Sequence, residues 1–300
     1  MATDQRLLFV TGAARSGTHL LSTLISEATG GVSVGEINDF WRSLVPQVRH
    51  DMIPEALATP AMAGRFTKAF APGDPPAGSA GLVIDKTAAN SLRLPFLYTL
   101  FPAARFIHII RDGRDVAVSV RRKYEGNMRN ITKLATDRGQ GDTGRWTSGL
   151  RMLRYKMSHG LSVRRVLNEP GRYLAAGLRT FGFRATHPWG PAVPGLPALA
   201  RSHSTIETAA YQWRCCVENA LAFEAACPGA AYLEVRYEQL MDDPQAVLAR
   251  VCDFLQVGQP KPLQTEIMAS GQDHTQLLTD VERQRVQAII GWTLARLDYR

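Results

Sequence analysis

The amino-acid sequence predicts an α/β fold built on a central, mainly parallel sheet of about five strands, with helices on both faces. Two observations lead to this prediction. Short, continuously apolar segments recur along the chain, and segments with helical spacing of apolar residues lie between them. The chain has 300 residues, of which 45% are hydrophobic, so a single domain covering residues 1–300 can bury a sizeable core. No apolar run reaches the roughly 18 residues of a membrane-spanning helix, so none is expected.

Five apolar segments are the predicted strands, and each is short enough to be a buried strand of a parallel sheet. The clearest is Phe-Ile-His-Ile-Ile at residues 106–110. In chain order the predicted strands cover residues 7–10, 32–34, 81–84, 106–110 and 232–236.

Helical segments are predicted around these strands from the spacing of their apolar residues. The first ends at the Gly30-Gly31 pair, and a later one begins with Pro244 in its first turn. The predicted helices cover residues 18–28, 64–70, 113–123, 205–226, 244–255 and 281–297. Strands that alternate with helices are typical of a parallel sheet.

Positive charge is concentrated in one part of the chain. The formal net charge is +8, from 35 Lys and Arg against 27 Asp and Glu. Residues 101–190 contain fifteen Arg and three Lys against six acids, which is +12, so the rest of the chain carries −4. This distribution predicts an anionic partner, and on charge alone a nucleic acid, an anionic lipid surface or a nucleotide would fit.

Two further features of composition bear on organisation. Residues 130–204 are basic and interrupted by Gly and Pro, and we expect them to form a mostly helical insertion that covers the sheet. The four cysteines show neither zinc-ligand spacing nor a dense disulfide pattern. This usage fits a reducing compartment, and we predict a cytoplasmic protein.

A glycine-containing loop follows the first predicted strand and precedes the first predicted helix. Gly12 and Gly17 stand five positions apart, as in the nucleotide-binding pattern G-x-x-x-x-G-K-[ST], whose backbone N–H groups surround an anion. Thr18 and His19 replace the lysine and the hydroxyl that ATP- and GTP-hydrolysing enzymes use for phosphate charge and Mg²⁺. Arg15 can supply a bidentate positive charge instead, so the loop fits a 5′-anion bound without metal.

This loop resembles the 5′-phosphosulfate-binding loop of sulfotransferases, enzymes that use 3′-phosphoadenosine-5′-phosphosulfate (PAPS). The likeness is to the tyrosylprotein-sulfotransferase-like branch and its bacterial relatives. It implies a P-loop-like three-layer fold, PAPS as co-substrate, no metal, and donor-binding residues in the loop. Those residues are Arg15, Ser16, Gly17, Thr18 and His19. An ordinary glycine turn before a helix is the alternative.

A second signature covers residues 106–124. Arg111 follows the clearest strand, and Ser119 stands eight positions later on the predicted helix. Because ligands of open α/β sheets bind beyond the carboxyl ends of the strands, both are candidate ligands of one phosphate. In sulfotransferases the matching Arg and Ser bind the 3′-phosphate of PAPS, and Lys123 lies one turn beyond Ser119 on the same face. A strand-end salt bridge is the alternative for Arg111.

The charged neighbours of this signature have simpler expected roles. Asp112 and Asp115 are expected to pair with neighbouring arginines or to cap the helix, and not to bind metal. Arg121 and Arg122 are expected on the solvated face of the helix. Trp213, on the long helix at residues 205–226, is expected to pack in the core.

Two candidate catalytic residues follow the second and third predicted strands. Glu36 completes a Gly35-Glu36 pair that tyrosylprotein sulfotransferases share, and the resemblance implies that it is the general base for the acceptor hydroxyl. Lys86 matches a family lysine on the bridging oxygen of the leaving group, where it would act with Arg15. A surface or arginine-paired Glu36, Asp39 as a weaker base, and a surface Lys86 are the alternatives.

The C-terminal third matches the family less fully. Residues 235–240 resemble a segment whose tyrosine contacts the nucleotide, so Tyr237 is a candidate ligand, with core packing as the alternative. Sulfotransferases also place a late basic loop over the 3′-phosphate and adenine. Residues 256–280 contain only Lys261 as a basic candidate, with Gln272, His274 and Thr275 as substitutes.

The sequence therefore predicts a sulfotransferase that moves the sulfuryl group of PAPS to a hydroxyl acceptor. The acceptor class stays open among carbohydrate, lipid, small molecule and peptide tyrosine. The insertion at residues 130–204 is expected to face the acceptor, and its charge favours an anionic acceptor or peripheral membrane contact over a nucleic-acid partner. Two other classes are a P-loop kinase or NTPase, which the missing loop lysine disfavours, and a non-enzymatic nucleic-acid binder, for which no recognition module is evident.

Overall fold

The five strands form one all-parallel sheet, as the sequence predicts. A computed structural model describes residues 6–70, 81–136, 190–263, 265, 267 and 274–299, with the backbone alone for residues 126–136, 274 and 275. Within these residues the strand order across the sheet is β2-β3-β1-β4-β5. The strands are β1 (Arg6–Gly12), β2 (Val32–Gly35), β3 (Leu82–Asp85), β4 (Arg105–Ile110) and β5 (Ala231–Arg236).

The central position of β1 fixes the topology. β1 pairs with β3 on one side and with β4 on the other, and β2 and β5 are the two edges. Each strand agrees with its predicted segment to within two residues at either end. The apolar runs of β1, β3 and β4 located these strands well because they are largely buried, whereas the edge strands β2 and β5 are partly exposed.

Ten helices are described around the sheet. They are α1 (Thr18–Thr29), α2 (Asn38–Leu44), α3 (Pro60–Phe70), α4 (Leu94–Leu100), α5 (Gly113–Thr136), α6 (Leu196–Ser202), α7 (Thr205–Ala226), α8 (Tyr237–Asp242), α9 (Pro244–Leu255) and α10 (Asp280–Arg296). Short 3-10 helices cover Glu55–Leu57, Ala88–Leu92 and His274–Leu277. The sequence did not predict α2, α4 or α8, because six or seven residues are too few to show a helical repeat.

Side-chain caps set the starts of three of these helices. Ser204 and Glu207 form a capping box at α7, in which the Ser204 hydroxyl accepts from the Glu207 N–H and the Glu207 carboxylate accepts from the Ser204 N–H. Thr279 and Glu282 make the same arrangement at α10. The Asp243 carboxylate caps α9. Each such cap contributes about 1 kcal/mol.

Helices cover both faces of the sheet, which gives the predicted three layers. α1 and α9 pack on one face, where Leu24 lies in a cluster with Ile107 of β4. α4 and α7 pack on the other face, where Phe96 and Phe223 lie in a cluster with Phe106. Successive strand residues point to opposite faces, so the adjacent residues Phe106 and Ile107 of β4 pack in different clusters. Burying one such aromatic side chain contributes about 1.5–3 kcal/mol.

Most of the predicted basic insertion lies outside the described residues, so its helical content and role stay predictions. Its end is visible, because Asp51 and Ala192 exchange two hydrogen bonds. The Asp51 N–H donates to the Ala192 carbonyl, and the Ala192 N–H donates to the Asp51 carboxylate, each at 2.6 Å. None of the helices in the described ranges combines the length and apolarity needed to cross a membrane.

Candidate active site

Every strand leads, at its carboxyl end, into a group that the sequence predicted as functional. Across the sheet these are Glu36 after β2, Lys86 after β3, the loop of residues 12–17 after β1, Arg111 after β4 and Tyr237 after β5. Neighbouring strands lie about 4.8 Å apart, so the groups form a row along one edge of the sheet. The strand order reverses at β1, the position where open α/β sheets bind ligands.

The loop after β1 presents polar groups at the start of α1. Ser16 is fully buried, and its hydroxyl has no hydrogen-bond partner among the described residues. No side chain caps α1, since its N-cap residue is Gly17. First-turn N–H groups of an uncapped helix are available to an anion. The loop therefore offers both a hydroxyl and a helix N-terminus to one ligand.

Gly17 is required by conformation and by space. Its φ is 93°, in the left-handed region that favours glycine, and a Cβ there would lie 2.5 Å from Cδ2 of Tyr237. The Tyr237 ring thus packs directly on the loop. The Arg111 guanidinium lies over the same ring, 4.4 Å from its centroid. Tyr237 consequently brings the ends of β1, β4 and β5 into one contact.

Arg111 is held in place from several sides. Its Nη2 lies 3.1 Å from the Asp115 carboxylate, its carbonyl accepts from the Trp213 indole N–H at 3.0 Å, and its side chain is buried. Its Nε has no hydrogen-bond partner among the described residues. The predicted acid pairing is confirmed, because Asp112 pairs with Arg114 at 2.6 Å. The predicted core position of Trp213 is also confirmed.

The loop and α5 meet through one hydrogen bond, from Arg15 Nε to Ser119 Oγ at 3.2 Å. Lys123, one turn further along α5, is exposed. The expectation for Arg121 was wrong, because its side chain pairs with Glu282 of α10 at 2.8 Å and is only 23% exposed. Nothing near Arg121 in sequence indicates that a helix from the end of the chain packs there.

Two further loop residues have different surroundings. Thr18 is buried in the first turn of α1, whereas His19 is exposed. The carbonyl of His19 accepts from the Ser22 hydroxyl at 3.0 Å. A ligand role for His19 stays a prediction.

Glu36 and Lys86 meet at the other end of the row. Lys86 Nζ lies 3.5 Å from Glu36 Oε2, with the glutamate side chain 56% exposed and the lysine 12% exposed. The Lys86 N–H donates to the Gly35 carbonyl at 3.1 Å. Gly35 has φ 75°, which turns the chain out of β2 just before Glu36. The structure therefore brings the two predicted catalytic side chains into one ion pair.

Sequence reasoning missed a buried polar cluster directly behind this pair. Asp85 is fully buried and accepts from the Trp41 indole N–H at 2.7 Å and from the Asn90 amide at 2.9 Å. Burial raises the pKa of Asp85, and hydrogen bonds from Thr87, Trp41 and Asn90 oppose that rise. Burial also lowers the pKa of Arg93 to about 10. The only sequence signal is an arginine inside an otherwise apolar stretch.

The predicted late loop remains largely a prediction. Lys261 is exposed, and its N–H donates to the Ala28 carbonyl at 3.0 Å. Gln272 lies outside the described residues, and the described backbone of His274 and Thr275 belongs to a 3-10 helix. In the part of the chain that the structure describes, no group of three His, Cys, Asp or Glu side chains could hold a metal ion.

The sheet order and the glycine loop at its central strand define a protein of the P-loop-like α/β class. The loop lacks the lysine and the metal-binding hydroxyl of the NTPases in that class. The sequence model of the sulfotransferase family matches residues 8–168 and 183–260. The chain therefore belongs to the sulfotransferase family, as its motifs predicted.

Several solved structures are similar to this chain. The sulfotransferase domain from the curacin biosynthetic pathway has a TM-score of 0.48 and 15% identity, covering 100% of this chain and 99% of that one. The sulfotransferase from Alicyclobacillus acidocaldarius has a TM-score of 0.44 and 15% identity, with coverages of 96% and 97%. Sulfotransferase STF9 from Mycobacterium avium has a TM-score of 0.43 and 13% identity, with coverages of 100% and 78%. A comparison with curated proteins finds no match.

Proposed function

We propose that this protein transfers the sulfuryl group of PAPS to a hydroxyl acceptor. One observation carries the proposal, namely the row of groups along the carboxyl edge of the sheet. Anion-binding groups follow β1, β4 and β5, and the Glu36–Lys86 pair follows β2 and β3. A donor nucleotide lying over β1, β4 and β5 would present its reactive end to that pair. Membership of the sulfotransferase family supports the same reaction class.

The residues present fit the two anionic groups of the donor. The Ser16 hydroxyl and the uncapped start of α1 fit the 5′-phosphosulfate, with Arg15 supplying positive charge. Arg111 Nε and the Ser119 hydroxyl fit the 3′-phosphate. Ser16 Oγ and Arg111 Nε are both buried donors without a partner among the described residues, and leaving a buried donor unsatisfied costs about 1–3 kcal/mol. Phosphate oxygens would satisfy both.

Acid–base roles are assigned by position in the row. PAPS supplies the sulfuryl group when bound. Glu36, more than half exposed, is reachable by an acceptor from solvent and accepts the proton of its hydroxyl. Lys86, mostly buried and nearer the loop, donates a hydrogen bond to the oxygen that carries the leaving charge, and Arg15 assists it. These roles require PAPS and the acceptor hydroxyl to lie on opposite sides of the transferred sulfuryl group.

The acceptor side of the proposal comes from charge. The surplus of arginine in residues 101–190 favours an anionic acceptor or an anionic membrane surface. The cysteine usage supports a cytoplasmic setting for the reaction. A sugar, lipid, small-molecule or peptide hydroxyl meets the chemical requirement equally, since Glu36 acts only on the hydroxyl proton.

Thermal unfolding in the presence of 3′-phosphoadenosine-5′-phosphate (PAP), of ATP with Mg²⁺, and of duplex DNA tests the donor class. A ligand at about 100 times its Kd stabilises the folded protein by about 2.7 kcal/mol. We expect PAP alone to raise the melting temperature strongly. Selective stabilisation by ATP would favour a kinase or NTPase, and salt-dependent stabilisation by DNA would favour a nucleic-acid binder.

A further inference from the structure

One buried hydrogen bond joins the two chain segments that carry Glu36 and Lys86. The Ile37 N–H donates to Thr87 Oγ1 at 3.0 Å, and Thr87 is fully buried. Ile37 directly follows Glu36, and Thr87 directly follows Lys86. A single side-chain hydroxyl therefore links the neighbours of both members of the ion pair.

The Thr87 hydroxyl does not cap the helix that follows it. Thr87 is the N-cap residue of the 3-10 helix Ala88–Leu92, yet its side chain makes no capping bond to that helix. Threonine at an N-cap usually accepts an N–H of its own helix. Here the hydroxyl instead accepts from Ile37, the N-cap residue of α2, whose apolar side chain cannot cap.

The link lies where the β-ladder ends. Gly35 and Asp85 are the last register partners of β2 and β3, and the ladder already shifts register between Ser33 and Gly35. Beyond them, the Lys86 N–H still donates to the Gly35 carbonyl. After Gly35 the chain leaves the strand at a φ of 75°. The hydroxyl of Thr87 is thus placed to hold the start of α2 where the ladder no longer does.

The surroundings of Thr87 orient Lys86. Asp85 and Thr87 are fully buried, while Lys86 between them is partly exposed. This alternation is that of an extended chain, in which successive side chains point to opposite sides. Asp85 is also tied to α2 through the Trp41 indole N–H. Both residues that flank Lys86 therefore contact the segment that follows Glu36.

We propose that Thr87 is a positioning residue for the Glu36–Lys86 pair. Its hydroxyl fixes the start of α2 against the end of β3 and thereby keeps the carboxylate and the ammonium in contact. The inference rests on the proposed function for its catalytic meaning. The geometric part concerns only the distance between two side chains and can be measured without any turnover.

A zero-length carbodiimide cross-link measures that contact. The reagent activates the Glu36 carboxyl, the Lys86 amine displaces the activated group to form an amide, and the carbodiimide leaves as its urea, having taken up the water. Mass spectrometry of the digest gives the cross-link yield. Thr87→Val loses the hydrogen bond from Ile37 and the one to Asp85, which predicts a yield at least about fivefold lower than in the wild type, with Thr87→Ser near the wild type. Equal yields in all three proteins would overturn the proposal.

A second matched pair keeps the test decisive if Thr87→Val does not fold. Thr87→Ser and Thr87→Ala both lack the methyl group and differ only by the hydroxyl. The alanine variant should give the lower yield, and protection of the Ile37 amide from hydrogen exchange should fall with it. Unchanged protection and yield in Thr87→Ala would contradict the proposal.

Kinetics then separate this role from the proposed function. In Thr87→Val we expect the Kd for PAP to stay within about twofold and the turnover of PAPS to fall about fivefold, with Thr87→Ser restoring it. If PAP binds none of the proteins, the proposed function fails, while the cross-link yields still decide the role of Thr87. A larger loss of PAP affinity than of turnover would count against positioning of the catalytic pair.

Discussion

Arg15 Nε donates a 3.2 Å hydrogen bond to Ser119 Oγ, joining the loop after β1 to α5. The family resemblance assigns these residues to different anionic groups of the donor, Arg15 to the 5′-phosphosulfate and Ser119 to the 3′-phosphate. In the structure the two proposed anion subsites are therefore one side chain apart. The Ser119 oxygen accepts from Arg15 and its O–H can still donate to a phosphate, so this one hydroxyl can bridge the two proposed subsites.

Removal of the proposed 3′-phosphate ligands should weaken binding of a nucleotide that has a 3′-phosphate and spare one that lacks it. We expect Arg111→Ala and Ser119→Ala to weaken binding of PAP about 10- to 100-fold, the effect of losing hydrogen bonds to a charged group. Binding of 5′-AMP, which has no 3′-phosphate, should change little. Titration calorimetry with both nucleotides measures the difference. Arg122→Ala, an exposed arginine on the same helix, is the control, and equal losses for PAP and 5′-AMP would contradict the assignment.

Replacement of the proposed base should separate binding from turnover. Glu36→Gln keeps the shape of the side chain and removes its proton-accepting charge, so we expect PAP binding to persist. Turnover of PAPS should fall about 10²- to 10⁴-fold, the usual contribution of a general base. Asp39→Asn changes the exposed acid that is the alternative base, and we expect it to keep wild-type turnover. Wild-type turnover by Glu36→Gln would remove this residue from the base role.

Replacement of Lys86 should lower turnover, because we propose that its ammonium stabilises the charge on the leaving group. We expect Lys86→Met to lower turnover about 10²- to 10³-fold, comparable to losing one donor that stabilises developing charge. Lys86→Arg should recover part of the rate because it retains the charge. Lys68→Met changes an exposed lysine of α3 and controls for charge on the molecule as a whole. A similar loss in both methionine variants would argue against a specific role.

Gly17 and Gly195 form a matched pair for the loop. Both are N-cap residues with left-handed φ, 93° and 75°. A Cβ at Gly17 would overlap the Tyr237 ring, whereas a Cβ at Gly195 would meet no described atom within 4 Å. Each alanine variant should lose about 1–2 kcal/mol to backbone strain. Gly17→Ala should lose more, and it alone should weaken PAP binding. Urea unfolding and calorimetry measure the two effects, and equal losses of stability would refute the ring contact.

A buried histidine should make the fold sensitive to acid. His108, fully buried on β4 beside Thr11, has its pKa lowered by burial from 6.5 to about 3. Because the folded state favours the neutral ring, its contribution to stability is fully present above pH 6.5 and is lost as pH falls toward 3. Between pH 7 and pH 5 the free energy of unfolding should fall by about 2 kcal/mol from this group.

Urea unfolding at pH 7, 6 and 5 tests the histidine effect. His108→Gln cannot ionise, so its stability should change less with pH than that of the wild type. The exposed His203→Gln is the surface control. The same pH dependence in His108→Gln and wild type would show that other groups cause the acid sensitivity.

The strands and the ends of the site were predictable because they depend on local sequence. Apolar runs locate all five strands, and the residues just after them, among them Glu36, Lys86 and Arg111, then fall at one edge of a parallel sheet. The sheet order supplies what local sequence does not. It places β2 beside β3, and hence Glu36 within 3.5 Å of Lys86.

The buried polar contacts were not predictable, since their partners are distant in sequence. Arg93 can be fully buried because it donates a hydrogen bond to the Asn38 side chain of α2. The charges of the Asp51 and Asp85 carboxylates also favour its charged form. An arginine is mostly exposed unless it is paired, so its burial follows only from the folded chain. The same holds for the pairing of Arg121 with Glu282 of α10.

Arg111 depends on residues that are synthesised long after it. The Trp213 indole that binds its carbonyl stands 102 positions later, and the Tyr237 ring under its guanidinium comes later still. At about 5–20 residues per second, a ribosome needs about 5–20 s to extend the chain from Arg111 to Trp213. The first four strands can therefore leave the ribosome before the proposed 3′-phosphate subsite can form. A chain that ends before Trp213 lacks both the indole that binds the Arg111 carbonyl and the Tyr237 ring under the guanidinium, so it cannot build the proposed subsite.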